Sequence, residues 1–217
     1  MTKKIWEMSA LQAHDLLKKK KISASEVLES SIERIEEVDG NLNALPERCF
    51  ARAREVANNI DKNSSSKFQP NLLGLPIAVK DYNDLSGVRT TYGSTIFENN
   101  IPKDSDRTIK LLERNGANPV AKSNVPEWAG GHTFNPVNGL TRNPWDINKS
   151  AGGSSGGSAS ALASGQVFLA TGNDLGGSLR TPAGFNGVVG LRPSPGLIPR
   201  GDRYMPFHTL WVEGPMA

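Results

Sequence analysis

A chain of 217 residues, 37% hydrophobic and 22% charged, is long enough for one large globular domain or for part of something bigger. A single cysteine, Cys49, excludes an internal disulfide framework, and a formal net charge of +3 is too small and too dispersed to mark a nucleic-acid surface. No run of ~18 apolar residues is present and the first ten residues lack the apolar core of a signal peptide, so a membrane span is not expected and the cytoplasm is the default location.

Ser9 to Gln12 reads as a capping box opening a first helix, with Leu11, Leu16 and Leu17 as its apolar side. That helix ends in the basic run Lys18 to Lys21, which complements the helix dipole. Ser23 to Glu26 repeats the device for a second helix ending at Gly40, in which Val27, Leu28, Ile32, Ile35 and Val38 recur at helical spacing. A third helix is expected from Glu47 to Asp61, then a polar, Ser-rich loop over 63–69. Residues 1–65 thus form a helical layer or arm, and residues 66–217 an α/β core.

At Leu73 the texture changes. Leu75 to Val79 is a short apolar strand that delivers Lys80 and Asp81 at its carboxyl end. Asp106 to Asn115 reads as a helix stopped by Gly116, and Asn118 to Lys122 as another strand. Alternating strand, helix and strand indicate an α/β fold with a mixed or parallel sheet, whose sites gather at the carboxyl ends of strands. Pro126 to Trp128 begins a short helix, and 130–146 reads as loop.

The most informative stretch runs from Ser150 to Pro193. Between Ser150 and Asn173 it holds no charged side chain, and two glycine-rich turns, 152–157 and 176–178, bracket the apolar runs 161–163 and 167–170. A flexible linker is also rich in Gly and Ser, but it does not carry a small-residue helix followed by a buried strand. The second turn can offer successive backbone N–H groups to a developing oxyanion. A serine hydroxyl needs a base, and His14, His132 and His208 sit beside no serine turn with an orienting acid. Lys80, at the end of an apolar strand, can serve if burial lowers its pKa. Neither phosphate-loop fingerprint is present, the Gly-x-Ser-x-Gly elbow is not matched around Ser178, and no cofactor or metal is expected.

Gly152 to Ser158 and Asp174 to Pro182 together resemble the amidase signature family. Gly74 to Asp81 is similar to its lysine motif, and Asn143 to Asp146 and Gly190 to Pro193 also match familiar stretches; the resemblance covers Leu11 to Ala217. Ser154 precedes Ser178 by 24 positions, the spacing of the family. The resemblance implies a mixed β-sheet sandwiched by helices and a Ser–cis-Ser–Lys triad. Ser178 is then the acylated nucleophile, Ser154, after a cis bond from Gly153, the proton relay, and Lys80 the base. The amides of Leu175, Gly176, Gly177 and Ser178 would form the oxyanion hole. Ser155 would orient Ser154, while Asp174 and Arg180 would pair to hold the loop. Gly130, Gly131 and His132 would line the pocket of a small-molecule amide substrate. Thr171 and Thr181 are expected to bond to backbone, and Cys49 to have no catalytic part.

Two local departures are Ala151 where relatives commonly have proline and Asn173 where Ser or Thr often stands. Family enzymes are also roughly twice as long, so a partial chain with an open sheet edge is expected. Three readings follow: a stand-alone amidase, the amide-cleaving component of the tRNA-dependent glutamyl amidotransferase, and a truncated inactive fragment. The lysine motif continues as Lys80-Asp81-Tyr82-Asn83 rather than the Lys-Asp-Asn usual in the amidotransferase, which favours the first. No nucleic-acid or membrane partner is expected, and the oligomeric state, homodimer included, is left open.

Overall fold

The structure is a computed structural model that describes residues 4–63, 70–200 and 208–217. Helices α1 (Ala10–Lys18) and α2 (Ala24–Leu42) open on capping boxes: Gln12 N–H donates to Ser9 Oγ at 3.2 Å and Glu26 N–H to Ser23 Oγ at 3.1 Å. α2 runs past Gly40 and stops at Asn43, which takes the left-handed conformation at φ 53°. The buried Asp39 carboxylate meets the exit by accepting from the amides of Ala44 and Leu45.

Glu47–Arg48 is not the start of the third helix but a two-residue strand, β1, and the helix α3 begins at Phe50 and runs to Lys62. β1 pairs antiparallel with β3 (Asn118–Ser123), Glu47 opposite Lys122, a long-range pairing no local pattern encodes. Most of the Ser-rich loop, and the boundary expected at residue 65, lie outside the described residues. β2 (Pro76–Lys80) runs parallel to β3 and to β6 (Leu169–Asp174), and α4 (Arg107–Arg114) links the first two. The segment read as loop from 130 to 146 contains a small hairpin, β4 (Phe134–Asn135) with β5 (Gly139–Leu140). α5 (Gly156–Ala163) precedes β6, which begins two residues later than expected and carries on to Asp174.

Beyond the second glycine turn the chain forms a helix, α6 (Arg180–Asn186), and a final strand, β7 (Val212–Met216), antiparallel to β6. Neither is expected from the local pattern. Pro182 sits in the first turn of α6, where its missing N–H is harmless, and Gly214 and Pro215 hide the strand. A Cβ on Gly214 would come within 2.3 Å of the Leu191 carbonyl, so only glycine lets the chains approach there. The outer side of β7 is not fully open: Val189 and Leu191 N–H groups donate to Ala217 and Pro215 carbonyls at 2.7 and 3.1 Å.

The sheet order is β1-β3-β2-β6-β7, a mixed sheet with helices on both faces. Alternation along β2 sends Ala78 to one face and Ile77 and Val79 to the other. Ala78, Val120, Ala121 and Ala170 join Val27, Leu28, Ile35, Ala53 and Ala159 in the larger core. Ile77 and Val79 pack with Leu85 and Ile109 of α4 in the smaller. The amino-terminal helices are therefore a layer sharing the sheet's core, not a free arm. No helix among the described residues is long and apolar enough to cross a membrane.

Candidate active site

β2 ends on Lys80, whose side chain is wholly buried. Its Nζ lies 2.7 Å from Ser154 Oγ, 2.9 Å from Ser155 Oγ and 2.5 Å from Asn173 Oδ1. Its backbone N–H donates to Thr171 Oγ1 at 2.8 Å, which pins the strand end against β6. Burial pushes the amine down to about 7, against the opposing pull of the Glu213 and Asp174 charges. An amine in that range has a neutral form within reach at physiological pH, and a neutral amine can take a proton from a hydroxyl beside it.

Ser154 and Ser155 sit at the head of α5, and the Gly153–Ser154 peptide is cis. The glycines here are packed. A Cβ on Gly153 would fall 2.1 Å from the Gly131 carbonyl oxygen, and one on Gly157 2.3 Å from the Asn124 nitrogen. The serines are also committed: Ser158 Oγ donates to the Thr171 carbonyl at 2.9 Å and meets Ser123 Oγ at 2.6 Å. Thr133 closes the turn by donating to the Gly152 carbonyl and accepting from Gly156 N–H. Low side-chain volume therefore serves close approach rather than flexibility.

The second turn hangs on Asp174, the last residue of β6. Its carboxylate accepts from Gly177 N–H at 2.8 Å, Leu179 N–H at 3.2 Å and both arms of Arg180 at 3.0 Å, and Arg192 adds a further contact at 3.0 Å. Burial works to raise its pKa, but the Arg180 hydrogen bonds and the two amides prevail and hold it well below the usual carboxylate range. The Gly177 amide is consequently directed at Asp174 and not outward, which corrects the expected four-amide set. Among the described residues, the amides of Leu175, Gly176 and Ser178 make no hydrogen bond.

Ser178 is half-buried, and its hydroxyl makes no hydrogen bond to another described residue. Its carbonyl accepts from Ser155 N–H at 3.3 Å, which ties the two turns together. The structure thus joins Lys80 directly to Ser154 and brings Ser178 alongside through backbone. Ser155 touches Lys80 Nζ and, at 3.5 Å, the Asn173 carbonyl; contrary to the sequence expectation, its side chain is not hydrogen-bonded to Ser154. Gly130, Gly131 and His132 are exposed beside the cis turn, with His132 Nδ1 2.6 Å from Ser150 Oγ. Cys49 bonds to the Pro119 carbonyl, and burial pushes its thiol up to about 11.

Several contributors lie beyond the sequence expectations. Asn173 stands out in the sequence only as a departure, yet it holds Lys80. Arg192 belongs to a recognisable motif, but nothing local marks it as a partner of Asp174. Lys122 is a second fully buried lysine, bonded to the Asn83 carbonyl at 2.5 Å and Thr90 Oγ1 at 2.7 Å, and 3.2 Å from Asp81. An apolar strand ending in Lys-Ser-Asn is a weak signal for it. For Glu213 the sequence carries none.

The family model for Amidase matches residues 26–217, so this chain belongs to the amidase family. The fold agrees. A bacterial aryl acylamidase of the amidase signature enzymes superposes with a TM-score of 0.91 at 32% identity, over 97% of this chain and 44% of that one. The peptide amidase of Stenotrophomonas maltophilia does so at 0.89 and 28%, over 97% and 45%. Among curated proteins, one component of the glutamyl-tRNA(Gln) amidotransferase is similar in two organisms: 41% identical over 201 residues in Geobacillus kaustophilus and 39% over 198 in Persephonella marina. Each alignment covers 90% of this chain and 41% of the relative, so the chain spans about two fifths of the length of these relatives.

Proposed function

We propose that the protein belongs to an amide hydrolase that cleaves a carboxylic amide C–N bond through an acyl-enzyme on Ser178. The observation carrying this reading is the 2.7 Å contact between the buried Lys80 Nζ and Ser154 Oγ, next to a turn tied to Ser155 through the Ser178 carbonyl. Ser178 Oγ adds to the amide carbon while its proton passes to Ser154, and the Ser154 proton passes to neutral Lys80. The oxyanion is met by the free amides of Leu175, Gly176 and Ser178. Collapse of this adduct breaks the C–N bond, and the protonated Lys80 returns its proton through Ser154 to the departing nitrogen. Water then attacks the ester, giving the carboxylate and restoring Ser178. Asp174 with Arg180 and Arg192 holds the amide turn in shape, and Gly130, Gly131 and His132 form one wall of the substrate site. The cytoplasm suits this chemistry and the single thiol.

A fluorophosphonate probe tests the reading. Labelling of Ser178, lost in Ser178→Ala and Lys80→Ala, supports it; labelling that survives Ser178→Ala overturns it. An unlabelled wild-type chain identifies a site that is not competent in these 217 residues.

A second reading is favoured by the curated relatives, in which the amide hydrolysed would be glutamine's and the ammonia would be passed on in a partner complex. Glutaminase activity that requires charged tRNA and a partner protein would select it over a stand-alone amidase.

A further inference from the structure

Glu213 lies on β7 directly opposite Asn173 of β6 and is 2% exposed. Its Oε2 accepts from Asn83 Nδ2 at 3.3 Å, while Oε1 is buried with no hydrogen-bond partner among the described residues. Asn173 is the mirror case: its Oδ1 accepts from Lys80 Nζ, and its Nδ2 is buried without a partner among the described residues. The hydrogen-bonded link from Glu213 toward Lys80 runs through Asn83, whose Oδ1 accepts from Thr171 Oγ1, which itself accepts from the Lys80 backbone N–H. Glu213 also borders an apolar cavity of about 450 Å3 lined by Leu72, Ile77, Leu112, Leu169 and Pro215. A carboxylate so placed is poorly solvated, and its charge acts on the buried Lys80 amine in the direction that favours the ammonium.

We propose that Glu213 is a positioning residue for Lys80: acting across the β6–β7 ladder through Asn173 and Asn83, its carboxyl group governs whether the Lys80 amine carries a proton. This rests on the reading of Lys80 as the base. A negative Glu213 favours the ammonium, and a protonated Glu213 releases Lys80 to the neutral form that catalysis uses. The other charged groups facing the pair are Asp106, at the head of α4, and Arg200 toward Glu213, and Asp174 toward Lys80. Burial raises the Glu213 carboxyl and lowers the Lys80 amine, which brings the two within reach of one another.

The test is carbon-13 NMR on the chain, following the lysine Cε and glutamate Cδ signals against pH, with Lys80→Met and Glu213→Gln assigning the two resonances. Glu213→Gln removes a charge but keeps the shape and the Asn83 contact. It is expected to move the Lys80 midpoint down by about one unit; an unmoved midpoint overturns the proposal, since a merely structural role alters stability and not this titration. Should Glu213→Gln fail to fold, Lys80→Met decides: the Glu213 midpoint rises when its cation is removed, or stays put and the proposal fails. Fluorophosphonate labelling is run in parallel. Labelling lost in Ser178→Ala with an unmoved Lys80 midpoint keeps the active-site reading and rejects Glu213. Labelling indifferent to Ser178→Ala rejects both.

Discussion

Lys80 and Ser154 are 74 positions apart in the chain and 2.7 Å apart in space, Nζ to Oγ. The contact exists because β2 ends where the head of α5 crosses it, with Asn173 at the end of β6 closing the third side. A lysine enclosed this way loses hydration that no ion pair among the described residues replaces. Its proton is therefore held weakly, and that is the property a base needs.

The pH dependence follows. Acylation of Ser178 is expected to rise about tenfold per unit as pH approaches about 7 from below, and to level off above it. Stability shares the cause. The ordinary lysine value is 10.5, so between about 7 and 10.5 the unfolded chain binds more protons than the folded one. The Lys80 contribution to stability thus grows with pH across that window and is lost as pH falls through about 7. Glu213, whose raised value has the opposite consequence, loses its contribution as pH rises from its ordinary 4.5 toward about 7. Labelling rates and denaturant midpoints across pH measure both; a labelling rate flat through 7 counts against Lys80 as the base.

Ser178→Ala should separate chemistry from folding. The hydroxyl makes no hydrogen bond to a described residue and is half-buried, so its loss is expected to change stability by no more than about 0.5 kcal/mol. Probe labelling and amide hydrolysis should fall by about a thousandfold or more. Thermal melts beside labelling assays check the pair.

Asp174→Asn is expected to do damage of another kind. It withdraws the charge that Arg180, Arg192 and two backbone amides converge on, and each such charged hydrogen bond is worth about 1.5–3 kcal/mol where it is buried. Arg180 is largely in water, which discounts its share, so a loss of about 2–3 kcal/mol is expected. Because the carboxyl is held below its ordinary value, its contribution is present above that value and lost as pH falls below it. The variant's stability should accordingly vary less than wild type's across the acid range, as urea midpoints will show.

Gly157→Ala and Gly176→Ala form a matched contrast. At Gly157 a Cβ meets backbone atoms of Asn124 and Ala44 at 2.3 to 2.8 Å, and a loss of about 3 kcal/mol or more is expected. At Gly176 a Cβ meets nothing within 4 Å, and the variant should fold like wild type. Equal melting temperatures would refute the close-packing account of the first turn.

Lys80, Ser154, Ser178, Asp174 and Arg180 stand out in the sequence through motifs that resemble the family's, because such motifs are short and local, and from the residues alone only a lysine after an apolar strand and the glycine-rich turns mark the place. The helices α1 and α2 are legible from caps and 3.6-residue spacing. β1, α6 and β7 are not, because each depends on partners far along the chain, and the Gly and Pro of α6 and β7 argue against regular structure. What the sequence determined by itself was the family, through its motifs, and the alternation of strand and helix. Only the tertiary structure decided that Gly177 spends its amide on Asp174 and that Ser155 and Asn173 share the amine with Ser154. It alone set Glu213 across the ladder from Asn173. Those are matters of strand register and of burial, and neither is encoded in a short run of residues.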